Sequence, residues 1–370
     1  MAPDRLTWPQ ALAWRLRRQL LDPVDDVSVV DVVRAVGALP GQDDAEAELA
    51  IGARRLRPRP GDVARAVAAG ELVRTFAFRG AVHLATPEGA GAYLALRASS
   101  RMWELPSWQT FYGLAPADWP AFRQAVRDAL AGGPLTPSAL GAVLTSQPTY
   151  RHLDTVFADN PWSLVKALAW QGDLCFGPSR DGQATLQRLD GNPRWTGLVD
   201  LDEAGRWAVE AYVRAYGPTT PGHLQYWLGE GLGVRRAHLR SWLADLADRL
   251  APVEVDGEPA VVLHEDLAEL VSTAPATSVR LLPRYDQWVL GPGTADPHVV
   301  PPAERALVSR GANLAVVGGV VRGTWSLSRD EVDVTWFAGT DAVARDDVAA
   351  QVERLATVAG RPLRLSAGPA

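Results

Sequence analysis

Twice in this chain a Thr-Pro pair heads a short apolar run, LTPSAL from Leu135 and TTPGHL from Thr219. A threonine before a proline reads as an N-cap followed by the first helical position, where proline's missing amide would have no partner anyway. A further helical run follows each, about Trp162 to Gln171 and Arg235 to Leu246, and then two alternating segments around a turn. The turns are Ser179-Arg180-Asp181-Gly182 and Asp256-Gly257. This is an internal repeat of pattern rather than of identity. Helix, turn, helix and two-stranded wing are the parts of a winged helix.

The stretch from Gly37 to Leu84 carries the same plan a third time, in a more specific form. A turn at Pro40-Gly41 precedes a helix opened by Asp43-Asp44, with Glu46 at capping-box spacing from Asp43. Arg54, Arg55 and Arg57 stand at its end, where cations suit the helix dipole, and Arg-Pro-Arg-Pro stops it. A second helix runs from about Asp62 to Ala69. From Val73 to Leu84 the chain alternates: Phe76, Phe78, Val82 and Leu84 share one parity, Thr75, Arg79 and His83 the other. With the register unbroken at Gly80, Arg79 and His83 point off one face together.

The rest divides around these motifs. The expected fold is α+β, with three tandem winged-helix units followed by a β-rich, barrel-like module. The expected boundaries are 1–118, 119–198, 199–275 and 276–370. Helices at about 5–21 and 29–36 lead into the first unit and complete it. The aromatic segment 102–119 reads as packing between units more than as a base-stacking platform. From Ser278 short apolar strands take over, with one helix, Asp346 to Val358, and a last strand, Pro362 to Leu365.

Composition excludes several function classes. No apolar run is long enough to span a bilayer, and the first 21 residues hold Asp4 and four arginines, unlike a signal peptide. A cytoplasmic location is expected, with no membrane partner. One cysteine, Cys175, rules out internal disulfides and multi-cysteine zinc sites, and the six histidines show no ligand spacing. No metal or cofactor is expected; phosphate-loop, nucleophile-elbow and dinucleotide fingerprints are missing. A net charge of −6 argues against coating nucleic acid by charge alone, yet Arg54 and Arg55, and Arg235, Arg236 and Arg240, fall at comparable places in similar units. They point either to a shared binding face or to a GC-rich genome.

Gly37-Ala38-Leu39-Pro40-Gly41-Gln42, then Glu48-Leu49-Ala50, Leu72-Val73-Arg74-Thr75, Arg79-Gly80 and His83-Leu84 together resemble the AlkZ-like winged-helix DNA glycosylases of bacteria. YGPTTPGHLQYWLG, LLPRYDQWVLG and VVRGTW extend the resemblance to about residues 5–365. It implies a monofunctional glycosylase that excises alkylated or crosslinked bases from double-stranded DNA, for repair or self-resistance. The family's signature is Gln-x-Gln, or Gln-x-Asp in one branch, where this chain reads Pro40-Gly41-Gln42. Gln42 is therefore the expected catalytic residue. Asp43 or Asp44 takes the place of the missing arm, or the pocket is widened for a bulkier adduct, or catalysis is lost; Asp43 also reads as a plain helix cap. Arg79 and His83 follow the family's R-G-x-x-H pattern and are expected at the DNA, with strand anchoring as the bland alternative. The family commonly puts an arginine where this chain has Asp296-Pro297-His298, and Tyr285-Asp286 reads equally as a contact or as packing.

The single lysine, Lys166, falls in an apolar helix. Schiff-base lyase chemistry needs an amine, so no lyase activity is expected. The rival reading is a DNA-binding regulator or lesion sensor without catalysis. Three unlike units in one chain favour a monomer over the symmetric dimer of a regulator.

Overall fold

The computed structural model describes residues 4–22 and 26–366. Helices dominate, the sheets are small, and the class is α+β with a curled five-stranded half-barrel at the C-terminal end.

The first strand and helix, β1 (Asp4–Leu6) and α1 (Trp8–Arg18), pack away from the first unit, contrary to the expected grouping. β1 runs parallel to β7 (Leu250–Val255), with Asp4 opposite Val253. α1 is apolar on two faces. Ala11 and Trp14 join the core under β7, while Leu12 and Leu16 join Leu282, Trp288 and Val316 of the C-terminal module. A helix apolar on two sides is stable only between two layers.

The first unit begins with α2 (Val29–Val36), opened by a capping box between Ser28 and Asp31. It continues through β2 (Leu39–Pro40), α3 (Asp44–Gly52) and α4 (Asp62–Ala68) to β3 (Val73–Phe76) and β4 (Val82–Ala85). The strands form one antiparallel sheet in the order β2-β4-β3 over a core of Val32, Val36, Leu39, Ile51, Val63 and Leu84. The run expected as one alternating strand is thus a hairpin. Phe76 pairs with Val82, and the reversal uses Arg79 at φ 52° and Gly80 at φ 66°. The shared face of Arg79 and His83 is lost in that turn: Arg79 is exposed at the tip and His83 is buried on β4 opposite Pro40.

α5 (Pro87–Ala98), capped by Thr86, packs on the helix Leu201–Tyr216, so that Tyr93 and Leu96 share a core with Ala208, Tyr212 and Trp227. The second unit contributes the helices Trp119–Ala129, Pro137–Thr145 and Trp162–Trp170 and the hairpin β5 (Leu174–Arg180) and β6 (Gln183–Arg188). Its core is continuous with the first unit's through Phe76, whose ring lies 5.0 Å from that of Phe176. Trp103, Tyr112 and Trp119 of the aromatic segment are buried in this core.

In the third unit the helix Arg236–Asp245 precedes the hairpin of β7 and β8 (Glu258–Leu263). The C-terminal sheet comprises β9 (Val279–Leu282), β10 (Asn313–Val317), β11 (Val320–Ser328), β12 (Glu331–Trp336) and β13 (Arg364–Leu365), in the order β13-β12-β11-β10-β9. Trp325, Val332, Val352 and Leu355 share a core, so the helix Arg345–Ala359 fills the concave side. Among the described residues no helix is long and apolar enough to cross a membrane. None of their His, Cys, Asp and Glu side chains cluster in threes to hold a metal ion.

Candidate active site

Gly41 sets the geometry of the predicted motif. Its amide donates to the Val82 carbonyl at 2.9 Å, continuing the β2–β4 pairing by one residue. A Cβ at this position would meet the His83 carbonyl carbon and the Leu84 amide at 3.1 Å, tighter than side chains ordinarily pack, so glycine suits the close approach of the two strands. The chain then turns into α3, and Gln42 is left exposed at the junction. Its side chain makes no hydrogen bond among the described residues.

Gln42 lines a cleft of about 570 Å³ between the first and second units. Opposite it, the helix Trp162–Trp170 turns Trp162, Ser163 and Lys166 into the cleft, and Phe76 and Phe176 supply an apolar wall. Asp44, the first residue of α3, is the cleft's carboxylate, and Arg74 from β3 is ion-paired with it.

Asp43 has another role than the catalytic one expected of it. Its Oδ1 accepts from the amides of Ala45 at 2.9 Å and Glu46 at 3.3 Å, which makes it the N-cap of α3. Its Oδ2 faces Arg284 of the C-terminal module at 3.5 Å, and the same arginine pairs with Glu46 at 3.0 Å. Burial raises the Glu46 carboxyl above the usual range, with Arg284 opposing. Asp43 therefore points to the module, and the cleft is served by its neighbour.

The expected DNA contacts separate into two groups. Arg54 is fully buried, forks the Asp286 carboxylate at 2.8 and 2.7 Å and donates to the Ala50 carbonyl at 2.7 Å. Asp286 also accepts from the Trp288 amide at 2.8 Å, and the exposed Tyr285 donates to the Arg310 carbonyl, so both residues serve packing. Arg55 is half-buried, pairs with Asp62 and donates to the Val27 carbonyl at 2.7 Å. His83 is buried, its Nδ1 3.0 Å from the Ala81 carbonyl and its ring edge-on to Phe78. Burial pushes its imidazole down to about 4; the Arg79 charge adds to this and the Ala81 carbonyl opposes it. A neutral, buried ring cannot bind phosphate, and as DNA contacts Arg54, Arg55 and His83 are corrected to structural ties.

Arg79 remains exposed, with its guanidinium 4.1 Å above the Tyr226 ring. Arg235, Arg236 and Arg240 are exposed at the start of the helix Arg236–Asp245 and make no ion pair among the described residues. In the Asp296-Pro297-His298 segment Asp296 is buried and pairs with His223 at 3.3 Å and His298 at 2.9 Å, Pro297 is exposed, and the half-buried His298 stacks on Trp8.

Lys166 and Arg74 are the cleft residues that sequence reasoning did not bring to Gln42 and Asp44. The helix is as apolar as expected, but Lys166 stands on its cleft face, one turn from Trp162. The i, i+4 spacing of Trp162 and Lys166 was the available signal.

A family profile described as DNA glycosylase AlkZ-like matches residues 33–358. An interstrand DNA cross-link repair glycosylase of Streptomyces sahachiroi is 35% identical over 370 residues, covering 98% of this chain and 100% of the relative. The solved structure of the Streptomyces sahachiroi DNA glycosylase AlkZ superposes with a TM-score of 0.91 at 34% identity, covering 98% of this chain and 100% of that one.

Proposed function

The chain belongs to the AlkZ-like DNA glycosylases, and on that footing we propose that it hydrolyses the N-glycosidic bond of purines alkylated at N7 or N3. Bulky natural-product adducts and interstrand crosslinks fall within this range. The relative's printed name, an interstrand cross-link repair glycosylase, supports the crosslink end of it. Removing such adducts in the cytoplasm serves DNA repair, and self-resistance where the cell itself makes the alkylating agent.

An N7-alkylated purine is already cationic and departs with little protonation. The protein's task is then to stabilise positive charge developing on the deoxyribose and to position a water. Gln42 suits the second part: its carbonyl accepts from the water while its amide group orients against the substrate. Asp44 suits the first, as a carboxylate that Arg74 holds in the same cleft. Water is the nucleophile, so base removal itself requires no amine. The three helix-and-hairpin units, read as winged helices, would grip the duplex as a monomer, with Arg79 and the Arg235, Arg236 and Arg240 cluster at phosphates.

The observation that carries this reading is the unbonded Gln42 amide, held by the Gly41 contact at a cleft large enough for a modified base. Proline at position 40 removes one polar arm and supports the account in which the pocket is opened for bulk. It is also the one feature favouring a DNA-binding protein without catalysis. Single-turnover incubation with duplexes carrying N7-methylguanine or a bulky N7 adduct, followed by alkali, distinguishes the two. Strand breaks that disappear with Gln42→Ala establish the glycosylase. Intact duplex binding with no product at any adduct size establishes the rival.

A further inference from the structure

The Gln42 cleft does not end at Arg74. Past it, between α4 and the β5–β6 hairpin, lies a narrower neck of about 260 Å³, and beyond the neck a second hollow of about 570 Å³ that reaches Asn192. Arg74 and Phe176 border cleft, neck and hollow alike, so the three form one groove between the first and second units.

Small residues keep the neck open. α4 presents Ala64 and Ala68 to it, one turn apart and both exposed. Facing them, β5 carries Gly177 and Pro178. A Cβ on Gly177 would meet the Thr185 hydroxyl oxygen at 2.7 Å, so a side chain there would displace its neighbour. The β5–β6 register slips between Gly177 and Arg180, and the Thr185 hydroxyl donates to the Pro178 carbonyl at 2.6 Å. Such a bulge bends the strand that carries it.

The lining is wrong for a DNA backbone. Among the described residues the neck and hollow hold two cations, Arg74 and Arg188, and both are ion-paired, with Asp44 and Asp190. A phosphate would find no free charge there. The groove offers apolar surface from Phe176 and Val67 and two uncharged polar groups. These are the exposed Ser179 hydroxyl and the Gln187 amide, which among the described side chains meets the Cys175 sulfur alone, at 3.8 Å. That lining suits an uncharged, elongated and mostly apolar ligand with an occasional hydrogen-bonding group.

We propose that this groove is the subsite for the substituent of a bulky adduct. The alkylated base stands at Gln42, and its uncharged, largely apolar tail runs past Arg74 between α4 and β5. The inference deepens the glycosylase reading and rests on it for the position of the base. Continuity with the Gln42 cleft fixes the occupant, because a chain attached to a base in the cleft has one covered path of this polarity leading away from it. A methyl adduct leaves the groove empty, whereas a long adduct gains its apolar contact, so the groove selects for length.

The test uses the full chain and two duplexes, one carrying N7-methylguanine and one carrying guanine alkylated at N7 by a phenyl-terminated hexyl chain. Single-turnover excision gives the ratio of the two rates. Ala68→Trp and Ala64→Trp each place an indole in the neck, and each is checked for an unchanged circular dichroism spectrum and melting temperature. The ratio of long to methyl excision is expected to fall by about 10-fold or more in both variants. A general loss of activity lowers both rates together and leaves the ratio as it was. An unchanged ratio overturns the subsite while the glycosylase reading stands. A second readout needs no catalysis: a photoreactive diazirine at the end of the long chain is irradiated on the bound wild type, and peptide mass spectrometry locates the attachment. Labelling within residues 64–70 or 177–192 is expected. The same labelling with neither duplex excised keeps the subsite and sinks the glycosylase reading. Labelling elsewhere on the protein, or of DNA alone, overturns the subsite.

Discussion

Arg54 at the end of α3 and Asp286 at the start of the helix Gln287–Leu290 form a two-pronged ion pair, and neither side chain reaches solvent. The pair locks the first unit to the C-terminal module across 232 residues of chain. Removing one partner leaves an uncompensated buried charge, so Arg54→Ala is expected to destabilise the protein by about 3–5 kcal/mol. Arg54→Met combined with Asp286→Leu is expected to recover much of that loss. Urea unfolding of Arg54→Ala, of Asp286→Ala and of the double variant measures it. Equal losses in all three would show that the charges themselves are not the issue.

Gly41→Ala tests the strand contact that positions Gln42. The added Cβ meets backbone atoms of His83 and Leu84 at 3.1 Å, which cannot rotate away. Stability is expected to fall by about 1–3 kcal/mol. Single-turnover base excision is expected to slow by about 10-fold to 100-fold, because Gln42 shifts with the strand. Duplex affinity should change little. An unaltered excision rate would detach Gln42 from the chemistry.

His83 makes stability depend on pH. Its imidazole is pushed from an ordinary 6.5 down to about 4 in the fold, chiefly by burial. The unfolded chain therefore takes up a proton that the folded one refuses. The stabilisation is fully present above pH 6.5, declines as pH falls and is gone below about 4, a total of about 3 kcal/mol. Melting temperatures from pH 7.5 to 4.5 should fall more steeply for the wild type than for His83→Gln. Parallel curves would count against the assignment.

Arg235, Arg236 and Arg240 are exposed and, among the described residues, unpaired, the expected condition of phosphate ligands. Replacing all three with alanine is expected to weaken duplex binding without regard to sequence. Each lost phosphate contact should reduce the slope of log affinity against log salt by about 0.9. Fluorescence anisotropy across a salt series reads both effects. An unchanged slope would move the DNA to another face of the molecule.

Short-range signals were legible in the sequence because their physics is local. Ser28, Thr136 and Thr220 each accept a backbone amide within three residues, so a cap can be read from a few neighbouring letters. The same holds for the position of Gln42 beside Gly41, for Asp43 as a helix start, and for the strand-rich texture after Ser278. The turn at Arg79-Gly80 was the local exception. A glycine permits reversal without requiring it, and pairing between Phe76 and Val82 decided the matter.

The sequence by itself determined most of the helical and strand segments and the apolar positions along them. Only the tertiary structure decided what those faces and charges meet. The sequence marks a helix at about 5–21 but not that β7 and the C-terminal module cover two sides of α1. An arginine reads alike whether it faces solvent, as Arg240 does, or a carboxylate 232 residues away, as Arg54 does. A lysine in an apolar helix reads as incidental until the fold turns it toward Gln42. Burial and counter-charge are properties of the assembled chain, set by contacts between segments whose separation in sequence carries no record of their distance in space.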